Sequence, residues 1–425
     1  LSDLERSVLH QCAVFRCGFT LEAAQAIIQY EPEEDPSGLR EVLDTLASKS
    51  LLFADTRANY GGRLNTYDSV RYYALERLDE DAQFKAARDR HVSYFLAFGD
   101  ELLATMKTYQ AHEAFRILKL EIDNLQAVFD HALGVDVSLA YRAFIVCETL
   151  YSKLDWHQSS LDMVDALLKH DSEFDLETRL VIQSNRALAL HGLARVDEAR
   201  ETLDWVRTKT DPVQHRDRWV RASVHDSLLL TRQGKYDEAG TRLETLLTDP
   251  NHQIPALRAD ILAGLGFVRR GQQRYQETLD HWREAIDIGR GHLRHFWIEQ
   301  TENNWAAMQV QNGDLDAGRF AFETNLKRVR GLTYPQEVGL QLYNLAHIEL
   351  IKGHLDSAGL YAQEATALIR NGVTPLYRGI SCIQLAVIHH LTDHPKSAIA
   401  LLTEAKEQCQ SVQQMKWVAH AQSLE

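Results

Sequence analysis

With 425 residues, 45% of them hydrophobic and 25% charged, the chain has a globular composition and enough length for two or three domains. Its 60 acidic against 46 basic residues leave a formal charge of −14, which argues against a broad nucleic-acid or anionic-membrane surface, since both need clustered cations. The five scattered cysteines (Cys12, Cys17, Cys147, Cys382, Cys409) read as reduced core thiols of a cytoplasmic protein, with no run near the roughly 18 apolar residues of a membrane helix and no visible signal peptide.

The chain opens on Leu1 rather than methionine, inside a helical pattern, and reads as a piece of a larger protein. "LSDLERSVLHQCAVF" carries apolar residues at helical spacing. "TLEAAQAII" follows as a second helix capped by Thr20, and "SGLREVLDTLASKS" as a third capped by Ser37. The acidic run "EPEED" (Glu31 to Asp35) between them is a solvated loop. Periodicity then switches to alternation: "SLLFADT" and "GRLNTYD" flank the turn-rich "RANYGG" and predict a two-stranded hairpin. "SVRYYALERL" returns to a helix. Three helices, a hairpin and a helix over residues 1–80 make a winged-helix arrangement. This stretch holds 14 acidic and 8 basic residues, a net of −6. Phosphate contacts dominate DNA affinity, so direct DNA binding is not expected of it.

The strings "LERSVLHQCAVFRCGFTLEAAQAI", "LDTLASKSLL" and "YDSVRYYALERL" resemble the winged-helix domain of bacterial STAND ATPases, signalling proteins related to the NB-ARC family. "RDRHVSYFLAF" (Arg88 to Phe98) and "LEIDNLQAVFDHAL" (Leu120 to Leu133) resemble the connector helices of the same proteins, here residues 81–135. The resemblance implies a regulatory winged helix that packs on an upstream nucleotide-binding domain. Many relatives end this domain on a Met-His-Asp motif whose histidine senses nucleotide; Thr66, Tyr67 and Asp68 stand there in this chain. Without the histidine, Tyr67 is expected in core or interface and Asp68 as the cap of the next helix. Tyr67, Asp68 and Arg71 form the expected regulatory interface. No Gly-x-x-x-x-Gly-Lys-Ser/Thr string occurs, so the phosphate loop, with ATP or ADP, is expected upstream of Leu1 and no cofactor in this chain.

From residue 136 the chain repeats itself every 39 or 40 residues. The turn "RQGKYDEAG" anchors the frame on Tyr236, and equal steps land on Trp156, Val196, Tyr275, Leu315, Leu355 and Pro395. Three residues after each anchor stands a small residue: Ser159, Ala199, Ala239, Thr278, Gly318, Ala358, Ala398. Nine before it stands another: Cys147, Ala187, Ser227, Gly266, Ala306, Ala346, Ala386. Gly234, Gly313 and Gly353 occupy the turn two residues before their anchors, with Ala194 and Asp393 as substitutes. Antiparallel helices approach closely only where both carry small side chains, and glycine supplies the positive φ of the turn. One such hairpin cannot bury its apolar faces alone; a stack of seven can. The pattern resembles tetratricopeptide (TPR) repeats, lengthened from the usual period, with Met415 to Leu424 as a capping helix. The expected fold is mainly α: a winged-helix domain with a small β-hairpin, then a TPR-like α-solenoid over residues 136–425.

In TPR arrays the first helix of each hairpin lines the concave surface. Eleven residues before each anchor stand Ile145, Asn185, His225, Gly264, Asn304, Asn344 and Gln384. A carboxamide can bond a peptide unit through donor and acceptor together, independent of the ligand's sequence, and this row resembles the asparagine ladder of some peptide-binding TPR proteins. Arg221, Arg232 and Arg270 nearby favour a carboxylate or phosphate on the ligand, and Tyr343 and His347 extend the surface. Solvation of the surface and helix-to-helix hydrogen bonding are the competing roles. A small-molecule sensor, similar in repeat length to the sugar-binding array of the maltose-regulon activator, is the alternative and would need a local aromatic pocket, for instance Tyr141, Phe144 and Tyr151.

Catalytic chemistry is not visible. The glycines of "GLGFVRRG" (Gly264, Gly266, Gly271) lack the preceding strand of a dinucleotide fingerprint and read as packing glycines. His390 with His394, and His292 with His295, have ligand-like spacing, but no cysteine or carboxylate completes either set, so no metal site is expected. No nucleophile stands in a recognisable context. The expected function is a non-catalytic, cytoplasmic sensor region of a STAND-type ATPase. Its superhelix would bind a peptide or protein and its winged helix would relay the state upstream, with oligomerisation on activation.

Overall fold

Helix formation begins at the second residue. Glu5 N–H donates to the Ser2 hydroxyl (3.1 Å) while the Glu5 carboxylate accepts from Ser2 N–H (2.8 Å), a capping box that opens α1 (Asp3–Cys12). A computed structural model of the chain describes residues 1–29, 38–54, 62–76, 82–108, 110–154, 156–249, 254–291, 295–330, 335–370, 375–411 and 414–425. The Ser37 cap, the acidic run at 31–35, most of the hairpin turn and His292 lie outside them.

The expected order of elements is present in the first 76 residues. Thr20 caps α2 (Leu21–Ile27) by accepting from Ala23 N–H at 3.2 Å, and α3 (Gly38–Ser48) follows. Strands β1 (Leu52–Ala54) and β2 (Leu64–Thr66) pair antiparallel with Leu52 opposite Thr66 and Ala54 opposite Leu64. Phe19 adds a bridge to Leu64, exchanging backbone hydrogen bonds of 2.8 and 3.0 Å. Helix α4 is Asp68–Glu76. Val8, Phe15, Phe19, Ile27, Leu43, Leu46 and Leu52 fill the core between these elements, with Phe15 and Phe19 stacked at 4.3 Å.

Two long helices come next, α5 (Ala82–Thr105) and α6 (Ala111–Ala132). Polar bonds tie them to the N-terminal elements. Arg63, on the residue before β2, is buried against Glu121 of α6 and also donates to Gly18 C=O. Asn124 donates to Glu121 (2.8 Å) and accepts from Arg16 N–H (3.0 Å), while Arg90 of α5 donates to Ile27 C=O (2.6 Å).

From there on the chain is helical hairpins. The first two are α7 (Val137–Lys153) with α8 (His157–Leu168) and α9 (Leu176–Gly192) with α10 (Val196–Lys209). Five more follow. They pair α11 (Arg216–Arg232) with α12 (Tyr236–Thr248), α13 (Pro255–Gly271) with α14 (Tyr275–Gly291), and α15 (His295–Gln311) with α16 (Leu315–Arg330). The last two pair α17 (Pro335–Ile351) with α18 (Leu355–Arg370) and α19 (Pro375–Leu391) with α20 (Pro395–Ser411). Helix α21 (Met415–Leu424) packs on α19 and α20 as the cap. The chain divides into two compact units, Leu1–Lys209 and Thr210–Glu425.

Six of the seven anchors are the first residue of a second helix. Before each of those six the same turn recurs. After α11, for example, Gly234 takes φ 76°, Gly234 N–H bonds Thr231 C=O (3.1 Å) and Lys235 N–H bonds Leu230 C=O (2.9 Å). This double bond closes the helix end, a Schellman motif. Ala194, Gln273, Gly313, Gly353 and Asp393 hold the equivalent positive φ. The first repeat departs from the frame by one residue: Trp156 is the N-cap of α8, and Ser160 rather than Ser159 is the buried small residue. The other twelve expected close-packing positions, together with Cys147, are all buried. At Gly266 a Cβ would collide with the Trp282 indole, which is fully buried and donates to Ala263 C=O at 3.1 Å. Gly271 likewise faces the Tyr236 ring. Both act as packing glycines, as the sequence predicted.

Candidate functional site

On the five first helices of the Thr210–Glu425 unit, residues spaced i, i+4, i+7 and i+11 share one face. That face carries Arg221, His225, Leu228 and Arg232 on α11, and Asp260, Gly264, Phe267 and Gly271 on α13. It continues as Gln300, Asn304, Ala307 and Gln311 on α15, Leu340, Asn344, His347 and Ile351 on α17, and Ile380, Gln384, Val387 and Leu391 on α19. Only Gly264 and Gln384 of these are buried; the rest keep partial or full exposure. Neighbouring positions of the same helices point into the hydrophobic cores, such as Val224, Leu257, Ile261 and Leu265 between α11 and α13. The stripe is therefore the solvent-facing side of helices whose other sides are packed.

Polar side chains join the first helices to one another. Arg221 pairs with Asp260 at 2.6 Å between α11 and α13. Gln341 Nε2 donates to Asn303 Oδ1 (3.2 Å) between α17 and α15, and Asn325 of α16 donates to the same oxygen (3.0 Å). Gln384 Nε2 donates to Tyr343 C=O (3.1 Å) between α19 and α17. Gln384 is thus spent inside the stack rather than held out to solvent, and its Oε1 has no hydrogen-bond partner among the described residues. Asn303 and Gln341 were not singled out from the sequence; the adjacent pair of asparagines at 303–304 was the available signal, since a 100° step puts one on the stripe and its neighbour in the seam.

Asn304 and Asn344 differ from these. Each is half-buried, stands at the same place in consecutive repeats, and makes no side-chain hydrogen bond among the described residues. Their amides are available to a ligand. His225 lies on the same stripe, with its pKa lowered to about 4 by burial and then by the nearby Arg221 guanidinium, so its ring is neutral at physiological pH. Tyr343 is half-buried, its phenol pushed up to about 12 by burial, and His347 is exposed one turn from it. Arg232 and Arg270 are exposed at the C-terminal ends of α11 and α13. Asn185 lies in the Leu1–Lys209 unit, where its amide donates to Val181 C=O of its own helix at 3.1 Å.

The aromatic residues offered for a small-molecule pocket are placed otherwise. Phe144 and Tyr151 are fully buried core side chains, and Tyr141 packs at 6.1 Å on Phe174. Of the regulatory residues, Tyr67 is 44% exposed and rests on Phe53 of the hairpin (4.6 Å), which makes it surface rather than core. Asp68 sits in the first turn of α4 rather than at its cap; Arg71 N–H closes that turn onto Tyr67 C=O at 2.9 Å. The Arg71 guanidinium lies over the Tyr72 ring at 5.2 Å, and Tyr72 and Tyr73 are exposed beside it. Among the described residues no set of three His, Cys, Asp or Glu side chains is placed to hold a metal ion, and no helix is long and apolar enough to cross a membrane. All five cysteines are free.

No family model and no curated protein matches the chain. Among solved structures it is similar to the apo form of the quorum sensor NprR from B. thuringiensis, with TM-score 0.53 and 12% identity over 89% of this chain and 99% of that one. It is also similar to a Rap protein complexed with competence and sporulation factor, with TM-score 0.50 and 12% identity over 77% and 95% of the two chains. A signal transduction ATPase with numerous domains and a tetratricopeptide repeat sensor, from Pyrococcus horikoshii, aligns at TM-score 0.46 and 13% identity over 99% of this chain and 66% of that one. At such identities the likeness concerns the fold alone, a TPR-like stack of helical hairpins.

Proposed function

We propose that the chain is the sensor region of a larger signalling protein, and that the stripe on α11 to α19 binds an extended peptide or a peptide segment of a protein. The observation that carries this is the pair Asn304 and Asn344: two carboxamides at one repeat spacing that make no side-chain hydrogen bond among the described residues, whereas Gln384 at the next equivalent position is bonded within the stack. Each such amide bonded to a peptide unit contributes about 0.5–1.5 kcal/mol, so a row of them gives affinity without demanding a sequence. The same fold is used by a Rap protein crystallised with competence and sporulation factor, which is in keeping with this reading.

The sequence resemblance extends the proposal to a STAND-type ATPase, with a winged helix over residues 1–80, connector helices over 81–135 and a nucleotide-binding domain upstream in a cytoplasmic protein. The Arg63–Glu121 pair supports a relay, because it ties the hairpin to α6 through a buried contact. The exposed Tyr67, Tyr72 and Tyr73 are the surface that would meet the upstream domain. Binding shifts the state only through different affinity for the two states. In this reading the chain itself performs no catalysis.

Selection of random peptides on the intact chain tests the binding step. Peptides that bind should lose about tenfold in affinity for Asn304→Ala/Asn344→Ala, roughly 1 kcal/mol or less per bond, with the helical circular dichroism unchanged. Selected peptides whose affinity ignores both asparagines would remove the proposal.

A further inference from the structure

We infer that Asn303 and Gln341 are positioning residues for the ligand amides: their bond across the seam between α15 and α17 sets the register in which Asn304 and Asn344 meet one ligand together. This rests on the peptide-binding reading above and adds the residues that hold its two amides in line without touching the ligand. Asn304 is the next residue after Asn303, and Asn344 lies three residues beyond Gln341, just under one helical turn. A slip or roll of either helix at this seam therefore moves one amide relative to the other.

The hydrogen bonds fix which end of each amide faces which neighbour, because a guanidinium only donates. Arg328 of α16 donates to Asn325 Oδ1 at 3.1 Å, so Asn325 turns its Nδ2 to Asn303 Oδ1 (3.0 Å). Gln341 Nε2 meets that same oxygen at 3.2 Å. Asn303 Oδ1 is thus a double acceptor, and Gln341 must donate. Arg328 is held in turn by Glu302 of α15 (3.1 Å), which also pairs with Arg290 of α14 at 2.9 Å. The clasp between Asn303 and Gln341 ends a chain of polar contacts that runs through α14, α15, α16 and α17.

Polar groups are costly at this depth, and neighbouring repeats do without them. Gln341 is 1% exposed, Glu302 5% and Asn325 6%. At the repeat position of Asn325 the other second helices of the unit carry Leu246, Ala285, Ala365 and Ala405. At that of Glu302 the other first helices carry Ser223, Leu262, Leu342 and Cys382. A buried amide costs stability unless it is bonded, and a buried ion pair adds little over apolar packing of the same shape. Gln341 Oε1 has no hydrogen-bond partner among the described residues, so this side chain is a poor choice for stability alone. The layer lies between the two helices that carry Asn304 and Asn344. Hydrogen bonds weaken steeply outside a narrow range of distance and angle, so two amides bonding one peptide need a fixed offset.

Peptides selected on the intact chain for dependence on Asn304 and Asn344 are the probe, with affinity read by calorimetry and stability by urea unfolding. Gln341→Met removes the donor and the orphan acceptor together and leaves Asn303 Oδ1 bonded to Asn325. It should lower affinity about fivefold with the urea midpoint unchanged or raised. Asn303→Asp keeps an oxygen that accepts from both amides and should hold affinity within about twofold, whereas Asn303→Leu should lose at least as much as Gln341→Met. In Asn304→Ala/Asn344→Ala, adding Gln341→Met should change nothing further, because no pair is left to align. Unchanged affinity in Gln341→Met would overturn the inference and leave peptide binding standing. So would an equal loss in the chain that lacks both asparagines, which would make Gln341 general scaffold, or a loss in Asn303→Asp equal to that in Asn303→Leu. If no selected peptide depends on Asn304 and Asn344, the peptide reading falls and the positioning role with it.

Discussion

The backbone position two residues before each second helix isolates the conformational cost of a single side chain. Gly313 and Gln273 occupy it in consecutive repeats with φ of 91° and 61°, and both close the same double hydrogen bond. Nothing lies within 4 Å of a Cβ placed on Gly313, so contact energies do not enter there. An L side chain in this region costs roughly 1–2 kcal/mol, part of which glycine returns through its larger unfolded-state entropy. Gln273→Gly should therefore stabilise the Thr210–Glu425 unit by about 0.5–1 kcal/mol, and Gly313→Ala should destabilise it by a similar amount. Urea midpoints of the intact chain decide the matter, and equal signs for the two substitutions would mean that side-chain contacts rather than φ set the turn. Four of the six turns announced themselves by glycine or by a polar substitute with some αL tolerance, whereas Gln273 carried no local signal. Only the repeat spacing identifies it.

Among elements, the most exacting junction is between the hairpin and α6. The Arg63 and Glu121 side chains are both 6% exposed, so neither charge has water to fall back on. Arg63→Met leaves Glu121 buried without its cation and should cost about 3–5 kcal/mol, whereas Arg63→Met/Glu121→Leu removes both charges and should recover most of that loss. A double variant no more stable than the single one, by urea unfolding, would show that Arg63 acts mainly through Gly18 C=O. This junction joins residues 58 positions apart and had no signature in the sequence, because pairing at that separation depends on how the domain closes. The helices and hairpins themselves were legible, because local rules set them: Thr20 caps α2, small residues mark the close approaches, and alternation marks the strands. The stripe was half legible. Spacing placed Asn304 and Asn344 on it, but whether a carboxamide faces a ligand or a neighbouring helix depends on an offset of one residue, as Asn303 and Gln384 show.

At the scale of the whole chain, both units hold buried histidines with depressed pKa, and the first adds a buried carboxyl that titrates in the opposite sense. In Leu1–Lys209, Glu148 is buried beside the Ser160 hydroxyl and near His157, and burial pushes its carboxyl up to about 7 from 4.5. The folded state holds that proton more tightly, so its contribution is full below pH 4.5 and is lost as pH rises through about 7, up to about 3 kcal/mol. His91 of the same unit is packed between Phe15, Phe95 and Asn124, near His131 and Arg16, with its pKa lowered to about 3 by burial. Its contribution is full above pH 6.5 and is lost as pH falls toward 3. Between pH 4.5 and 6.5 these two slopes oppose each other. In Thr210–Glu425, His225 and His281 are depressed, burial being the first cause in each, so acidification through the histidine range weakens that unit. From pH 5.5 to 8 the second unit should therefore gain protection while the first gains less or loses it. Hydrogen exchange by mass spectrometry, corrected for the intrinsic rate at each pH, reports the two sets of peptides separately in the intact chain. In Glu148→Gln, peptides of α7 and α8 should recover the rise with pH that the second unit shows. If both units of the native chain gain protection in parallel, or Glu148→Gln changes nothing, the buried carboxylate is not what separates them.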